Sequence, residues 1–117
     1  MANARRGEIT AELGGVERTL CLTLGALAEL ESAFASEDLP DLARRFENGR
    51  IRSADLIKII ACGLRGAGHK ISDGEVATLT VPCGLQGYVG IVSSLFQATF
   101  GGLQEATDPL APRDQTI

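Results

Sequence analysis

The chain has 117 residues, a formal net charge of -4, and a composition that is 44% hydrophobic and 22% charged. These values are ordinary for a single soluble domain and exclude a chain that is disordered throughout. Aromatic residues make up only 4%, so base-stacking platforms for nucleic acid are not expected. The three cysteines are widely spaced and outside any C-x-x-C pattern, which predicts free thiols rather than disulfides or a zinc site.

The first six residues, MANARR, are expected to form a flexible N-terminus (1–6). No apolar run follows their two arginines, so a secretory signal of the usual form is not predicted and the protein is expected in the cytoplasm.

Charge is segregated along the chain. Residues 7–41 carry eight acidic residues against Arg18, whereas residues 44–70 carry seven basic residues against Glu47 and Asp55. The two segments are therefore expected to attract each other. A basic cluster can bind phosphates, but an acidic complement in the same domain favours intramolecular screening or a solvated face, so no nucleic-acid partner is expected.

The first structural pattern has a period of two and is interrupted by Gly14-Gly15, which suits a two-residue turn. It predicts a β-hairpin whose apolar face holds Ile9, Ala11, Leu13, Val16, Leu20 and Leu22. In this register Arg18 falls on the apolar face opposite Ala11, and Glu12 lies across from Glu17, a mildly unfavourable like-charge pair.

A helical period begins after Thr23, the predicted N-cap of a helix that runs to about Ala35. Its apolar positions are Leu24, Leu27, Leu30 and Phe34. A second short helix should begin near Pro40, turn Leu42 and Phe46 inward, and end at Asn48-Gly49.

A third helix is predicted from an N-cap at Ser53 to the glycines Gly66 and Gly68. Its apolar stripe is formed by Leu56, Ile57, Ile60 and Leu64.

The segment Ser72–Glu75 resembles the end of a calcium-binding loop, with Glu75 at the last ligand position. The earlier ligand positions fall on Leu64, Gly66 and Gly68, whose side chains offer no oxygen, so no metal site is predicted. The S-x-x-E pattern instead predicts a capping box at the start of a short helix that carries Val76 and Leu79.

No charged residue occurs from Val76 to Gln104. Polar residues interrupt this stretch and basic flanks are missing, so it is not predicted to span a membrane. It predicts a helix from about Cys83 to Phe100, followed by a flexible tail (103–117). The apolar face of this helix is formed by Leu85, Val89, Val92, Phe96 and Phe100.

The opposite face of this last predicted helix is polar but uncharged. Glycines at positions 84, 87 and 90 destabilise a helix and are typical of close approach by another backbone. That approach has two interpretations, packing inside the domain or contact with another chain. The second makes this face a hypothetical partner-binding site, formed by Gln86, Gly90, Ser93 and Gln97.

No pattern for catalysis or cofactor binding is present. His69, the only histidine, lies in a glycine-rich turn, and neither Cys62 nor Cys83 has a partner nearby in sequence. The glycine-rich stretch before His69 fits neither a dinucleotide nor a phosphate-binding motif. The sequence therefore predicts a protein that is not an enzyme, with no catalytic residues, cofactor or metal.

Together these elements predict a single α+β domain, mainly α, over residues 7–102, in which an N-terminal β-hairpin packs on a bundle of four to five short helices. The order of elements, the stretch LTLGALAELE, and the GR-x-x-x-x-DL segment of Gly49, Arg50, Asp55 and Leu56 resemble the small tail-assembly proteins of gene transfer agents and tailed phages.

That family is regarded as tail assembly chaperones and has also been labelled a tail tube protein. The resemblance implies a non-enzymatic chaperone that holds the apolar tape measure protein in solution while tail tube subunits polymerise. The alternatives are a structural tail tube or tail-completion subunit, and a small nucleic-acid-binding or protein-interaction adaptor. The implied partners are the tape measure protein, tail tube subunits or further copies of the chain.

Overall fold

The computed structural model describes residues 7–34, 39–50 and 52–107, with side chains described as far as residue 100. Within these ranges an antiparallel two-stranded sheet precedes five helices, so the α+β, mainly α architecture is confirmed. The elements are β1 (Glu8–Leu13), β2 (Val16–Cys21), α1 (Leu24–Ala33), α2 (Leu39–Glu47), α3 (Ser53–Gly66), α4 (Asp73–Val76) and α5 (Gly84–Thr107).

The hairpin turns at Gly14 and Gly15, whose φ angles are 66° and 80°. Two consecutive left-handed residues make the turn whose twist matches the strands, and glycine adopts that backbone without strain. The register is the predicted one, pairing Leu13 with Val16, Ala11 with Arg18 and Ile9 with Leu20. The hairpin prediction is confirmed.

Arg18 lies on the core side of the hairpin, as its register requires. Its Nε donates a hydrogen bond of 3.0 Å to the carbonyl oxygen of Leu13, so the half-buried guanidinium has a partner within the hairpin. Glu12 and Glu17 face each other on the opposite side and are both exposed, where water weakens their repulsion.

Helix α1 is capped as predicted by Thr23, whose hydroxyl accepts a hydrogen bond of 3.2 Å from the Ala26 amide. The predicted apolar stripe is partly wrong, because Leu24 is 84% exposed while Ala26 and Leu30 are buried. The helix turns this pair, four residues apart, toward α3. It ends at Ala33, and the predicted end at Ala35 lies outside the described residues.

Helix α2 agrees with its prediction. Leu42 and Phe46 are buried, and the chain leaves the helix at Gly49, which has a φ of 78°. A left-handed residue just beyond a helix is a common stop signal.

Helix α3 is the centre of the fold and packs against α1, α4, α5 and β2. Its N-cap is Arg52 rather than the predicted Ser53, which is the first helical residue. The Arg52 amide donates to the carboxylate of Asp55 at 3.4 Å, so the third helical residue satisfies the backbone of the N-cap. A methyl group at Gly66 would overlap with the Cys21 carbonyl, so this glycine permits the close packing of α3 on β2.

The capping box at α4 is confirmed. The Ser72 hydroxyl accepts from the Glu75 amide at 3.1 Å, and the Glu75 carboxylate accepts from the Ser72 amide at 3.0 Å. The helix is one turn long. Val76, its last residue, is buried in the core, and Leu79, in the loop after the helix, is partly buried against the core.

Helix α5 is longer than predicted, since it continues through Gly101 and Gly102 to Thr107. Val92 and Phe96 are buried as predicted, but Leu85 is 65% exposed. Leu85 stands in the first turn, at the rim of a groove rather than in the core, so its place on the apolar face does not bury it. Residues 103–107, the first part of the flexible tail predicted at 103–117, are helical, and the segments predicted at 1–6 and 108–117 lie outside the described residues.

Candidate partner-binding surface

The four residues of the hypothetical binding face are brought together on the solvent side of α5. Each of them is exposed: Gln86, Gly90, Ser93 and Gln97. A side chain built at Gly90 would meet no atom within 4 Å. At this face, therefore, the interpretation of packing inside the domain is wrong. We call these four residues the uncharged face.

Gly87 has a different environment from Gly90. A methyl group there would overlap with the carbonyl oxygen of Pro82, so α5 approaches the preceding loop closely at this point. The two interpretations of the helix glycines thus apply to different residues. Gly87 serves packing inside the domain, and Gly90 leaves a gap in an exposed helix surface.

A shallow groove of about 360 Å³ lies beside the uncharged face, between β1 and α5. The hairpin turn is tied to the loop before α5 by the Gly14 amide, which donates to the Thr80 carbonyl at 2.8 Å. The lining of the groove mixes polar and apolar groups and includes Thr10, Glu12, Val81, Gly90, Ile91 and Ser94. Gly90 belongs to both surfaces, so the groove and the uncharged face are continuous.

A second groove, of about 220 Å³, opens on another side of α5, between α3, α4 and α5. Its walls are almost entirely apolar, formed by Leu56, Ile57, Ile60, Val76, Ala77 and Tyr88, with Ser53 as a polar member. The Tyr88 hydroxyl donates to the Leu79 carbonyl, so the ring presents its apolar surface to the groove. We call this the apolar groove.

A buried carboxylate joins α2 to α3. Asp55 is 2% exposed and accepts from Arg45 Nη1 at 3.0 Å and from Arg52 Nη2 at 3.3 Å. Arg45 Nη1 also donates to the Arg50 carbonyl at 3.3 Å, and its guanidinium lies 6.0 Å from the centre of the Phe34 ring. Asp55 belongs to the motif that carries the family resemblance, but its partner Arg45 was not identified from sequence, because ten residues and a loop separate the two.

Four charged residues form an ion-paired cluster where α3 meets α1 and α4: Glu29, Lys58, Arg65 and Asp73. Lys58 Nζ lies 2.6 Å from Asp73 Oδ2, and Arg65 Nη1 lies 3.0 Å from Asp73 Oδ1. Glu29, in the acidic segment, pairs with Lys58 and Arg65, in the basic segment, as the expected attraction between the two segments requires. Asp73, outside the acidic segment, is the partner that charge counting missed.

The cluster shifts the ionisation of its own members. The hydrogen bond from Lys58 lowers the pKa of Asp73, and the same hydrogen bond raises the pKa of Lys58. Burial, followed by the nearby Glu29 charge, raises the pKa of the Cys62 thiol to about 11. Cys62 is therefore protonated at neutral pH and lacks the thiolate that a nucleophile requires.

The described residues contain no group of three or more His, Cys, Asp or Glu side chains that would suit a metal ion. Glu75, the supposed last ligand of a calcium loop, uses its carboxylate in the α4 cap. Among the described helices none combines the length and the apolar character that crossing a membrane requires. The lack of catalytic activity stays a prediction.

Comparison with known proteins gave a match to one family model, described as "Phage tail tube protein, GTA-gp10", over residues 6–102. No curated protein and no solved structure matches the chain. The match supports a tail protein of gene transfer agents and phages, and its description favours the structural tail tube alternative over the chaperone prediction. The chain belongs to the phage tail tube protein family, GTA-gp10.

Proposed function

We propose that the protein is a component of the tail tube of phage-like particles, and that it binds other tail proteins while the tail assembles in the cytoplasm of the producing cell. The observation that carries this proposal is the family match over residues 6–102, which covers nearly all of the described fold. Family membership supports a role in tail assembly. The surface that we propose for this role lies on the outward side of α5.

The uncharged face is the proposed docking surface for a tail protein. Its members are exposed on one helix, and the nearest groove continues it toward β1. Exposed helix surfaces usually carry Lys, Glu or Arg, whereas the cores of interfaces are depleted of charge because desolvating a charge is costly. A partner covering Gln86, Gly90, Ser93 and Gln97 would desolvate two amides and one hydroxyl but no ion.

A second candidate function is that of a chaperone for the tape measure protein. The observation that favours it is the size of the sheet, which has only two strands in the described part of the chain. So small a sheet gives little strand surface with which to line a tube. A helical domain with an exposed, uncharged helix face suits transient binding of an apolar client equally well.

The docking surface is tested by the double substitution Gly90→Lys and Ser93→Glu. Both positions are open to solvent, so the fold should be retained, while binding to purified tail tube subunits or tape measure protein should weaken at least about tenfold. The matched control is Ala28→Lys with Ser32→Glu, which adds the same charges to the exposed side of α1. A folded Gly90/Ser93 variant that binds as well as the control would exclude this face.

The two candidate functions differ in where the protein is at the end of assembly. Quantitative mass spectrometry of purified particles should find a tail tube component in the finished tail. A chaperone would be required for tail formation and missing from the particle. Deleting the gene in a producing strain and restoring it in trans supplies the control for the requirement, and a strain that assembles normal tails without the protein would overturn both functions.

A further inference from the structure

The outer edge of β1 is formed by main-chain groups that point away from β2. In a hairpin with a two-residue turn, the pair that flanks the turn is hydrogen-bonded across the strands, and bonded and non-bonded pairs alternate from there. Leu13 and Val16 are that first pair, so the amides and carbonyls of Thr10 and Glu12 point outward. Within the described residues these outward groups make no hydrogen bond. We call them the free edge.

The free edge opens into the shallow groove between β1 and α5, which Thr10 and Glu12 both line. On the α5 side the lining includes Gly87 and Gly90, so the helix lacks side chains where a further strand would pass. Adjacent strands lie about 4.8 Å apart, so a strand paired with β1 would also cover Gly90 of the uncharged face. The other edge of the sheet differs, because the Cys21 carbonyl in β2 lies against α3.

We propose that an extended segment of another tail protein adds to β1 as a third strand, and that basic or polar side chains alternate with small apolar ones along that segment. Unpaired strand edges are templates for pairing with another chain. In this mode of binding the main-chain hydrogen bonds give affinity, and alternate side chains give specificity. That the partner is a tail protein rests on the proposed function, whereas its extended form and its charge follow from the groove.

The charge of the partner is set by carboxylates beside the free edge. Glu12 and Glu17 are exposed on the outer face of the hairpin, and neither has an ion-pair partner in the described part of the chain. A residue opposite Glu12 on the added strand lies on this same face, where lysine or arginine is favoured. The residue opposite Ala11 points toward α5 instead, where the half-buried Ala11 and Ile91 favour a small apolar side chain.

The same carboxylates disfavour a second copy of the chain as the occupant. In the antiparallel pairing that uses the whole of β1, centred on Thr10, Glu8 of each copy would stand opposite Glu12 of the other. Like charges directly opposite each other destabilise a pair of strands. The free edge therefore accepts a basic strand more readily than another β1.

Binding of synthetic peptides to the full chain, measured by fluorescence anisotropy, tests the mode of binding. The probe is a labelled peptide of about ten residues that alternates lysine and valine. A matched peptide alternates glutamate and valine, and a third is the lysine peptide with N-methyl groups on its lysine amides, which would otherwise bond to the free edge. The lysine peptide should bind, and each of the other two should bind at least about tenfold more weakly.

Substitutions in the hairpin test the same contact from the protein side. Thr10→Pro removes an outward amide but keeps the hydrogen bonds between β1 and β2, so it should weaken binding of the lysine peptide at least about tenfold. Its control is Thr19→Pro, the same substitution at the directly opposite position of β2, which should bind as the wild type does. Circular dichroism and the thermal midpoint report the fold of each variant.

A charge reversal provides a second variant that does not disturb the backbone. Glu12→Lys should weaken binding of the lysine peptide about fivefold and strengthen binding of the glutamate peptide. The control is Glu31→Lys, which changes the net charge equally at an exposed position of α1 and should leave both affinities unchanged.

These measurements are independent of the test of the proposed function. If the lysine peptide binds as expected but the protein is neither required for tails nor present in them, the strand site stands and the tail function falls. If the protein is a tail component and the peptide does not bind, the tail function stands and strand addition falls.

Three results would overturn strand addition at β1. The first is a lysine peptide that does not bind at about 1 mM, or that binds no better than its N-methylated form. The second is a pair of folded variants, Thr10→Pro and Glu12→Lys, that bind as their controls do. The third is an edge with another occupant, seen in sedimentation as a dimer that Thr10→Pro dissociates, or as peptide affinity that rises at least about tenfold when residues 108–117 are removed.

Discussion

Helices α3 and α5 differ in the number and pairing of their charged residues. Around α3 the charged side chains are paired with one another, in the ion-paired cluster and in the contact of Asp55 with Arg45 and Arg52. From Gly84 to Gln104, α5 carries no charged residue, and the helix packs on the core through Val92, Leu95 and Phe96.

The difference assigns the two regions to different tasks. Charges that satisfy each other within the domain fix α2, α3 and α4 in place and leave a weaker field for an external anion. A helix face without charges is easily desolvated. The α3 side thus serves stability, and the α5 side is the one that we propose for partners.

The largest expected effect is the loss of Asp55. Asp55→Ala would leave the guanidinium of Arg45, whose side chain is 18% exposed, beside a site without its counter-charge, so unfolding in urea should show a loss of about 3 kcal/mol. The control is Asp41→Ala, which breaks an exposed pair with Arg44 within α2 and should cost about 1 kcal/mol or less. If both variants lost the same small amount of stability, the buried pairing of Asp55 would contribute no more than an exposed ion pair.

A pair of glycine substitutions sharpens the comparison of the two helices. Gly66→Ala should destabilise the protein by about 2 kcal/mol, because the added methyl group overlaps with the Cys21 carbonyl and forces α3 away from β2. Gly90→Ala meets open space within a helix and should stabilise by up to about 1 kcal/mol. Thermal denaturation measures both, and a destabilising Gly90→Ala would mean that the outer side of α5 is already packed.

The smallest expected effect concerns pH. Because the pKa of Asp73 is lowered in the fold, its pairing stabilises the protein above the ordinary carboxyl pKa of about 4 and is lost as pH falls through the lower, folded pKa. The pKa of Lys58 is raised in the fold. Its contribution to stability is therefore fully present up to the ordinary lysine pKa of about 10.4 and is lost only as pH rises beyond that value.

Asp73→Asn tests this dependence. Both partners are partly solvated, with side chains 28% and 40% exposed, so screening should limit the effect to about 1 kcal/mol or less. The wild type should be more stable than Asp73→Asn in urea at about pH 6, and the gap should narrow at about pH 3. A gap of constant size across that range would mean that the cluster contributes no net pairing energy.

Much of the fold could be predicted because its signals are local. The hairpin register follows from two consecutive glycines, and the caps at Thr23 and Ser72 follow from hydrogen bonds that span three residues. The N-cap of α3 was misplaced by one residue, because Asp55 at the third helical position accepts from the Arg52 amide and so favours Arg52 as the N-cap; the Asp55 carboxylate is also held by Arg45 from another helix.

The candidate site was predicted only in part. Helical periodicity places Gln86, Gly90, Ser93 and Gln97 on one side of a helix, but it does not say whether that side meets solvent or another element. Neither groove was predicted, because each is formed by residues of separate elements, with α5 contacting β1 in one case and α3 and α4 in the other.

By itself, the sequence determined the turn of the hairpin, the start of α1 and α4, and the lack of charge from Val76 to Gln104, because each depends on residues near one another in the chain. Only the tertiary structure decided that Leu24 and Leu85 stay exposed. It also decided that Asp73 of α4 and Glu29 of α1 both pair with Lys58 of α3. Burial and ion pairing are set by which elements meet in space, and residues far apart in the chain come together only when the helices pack.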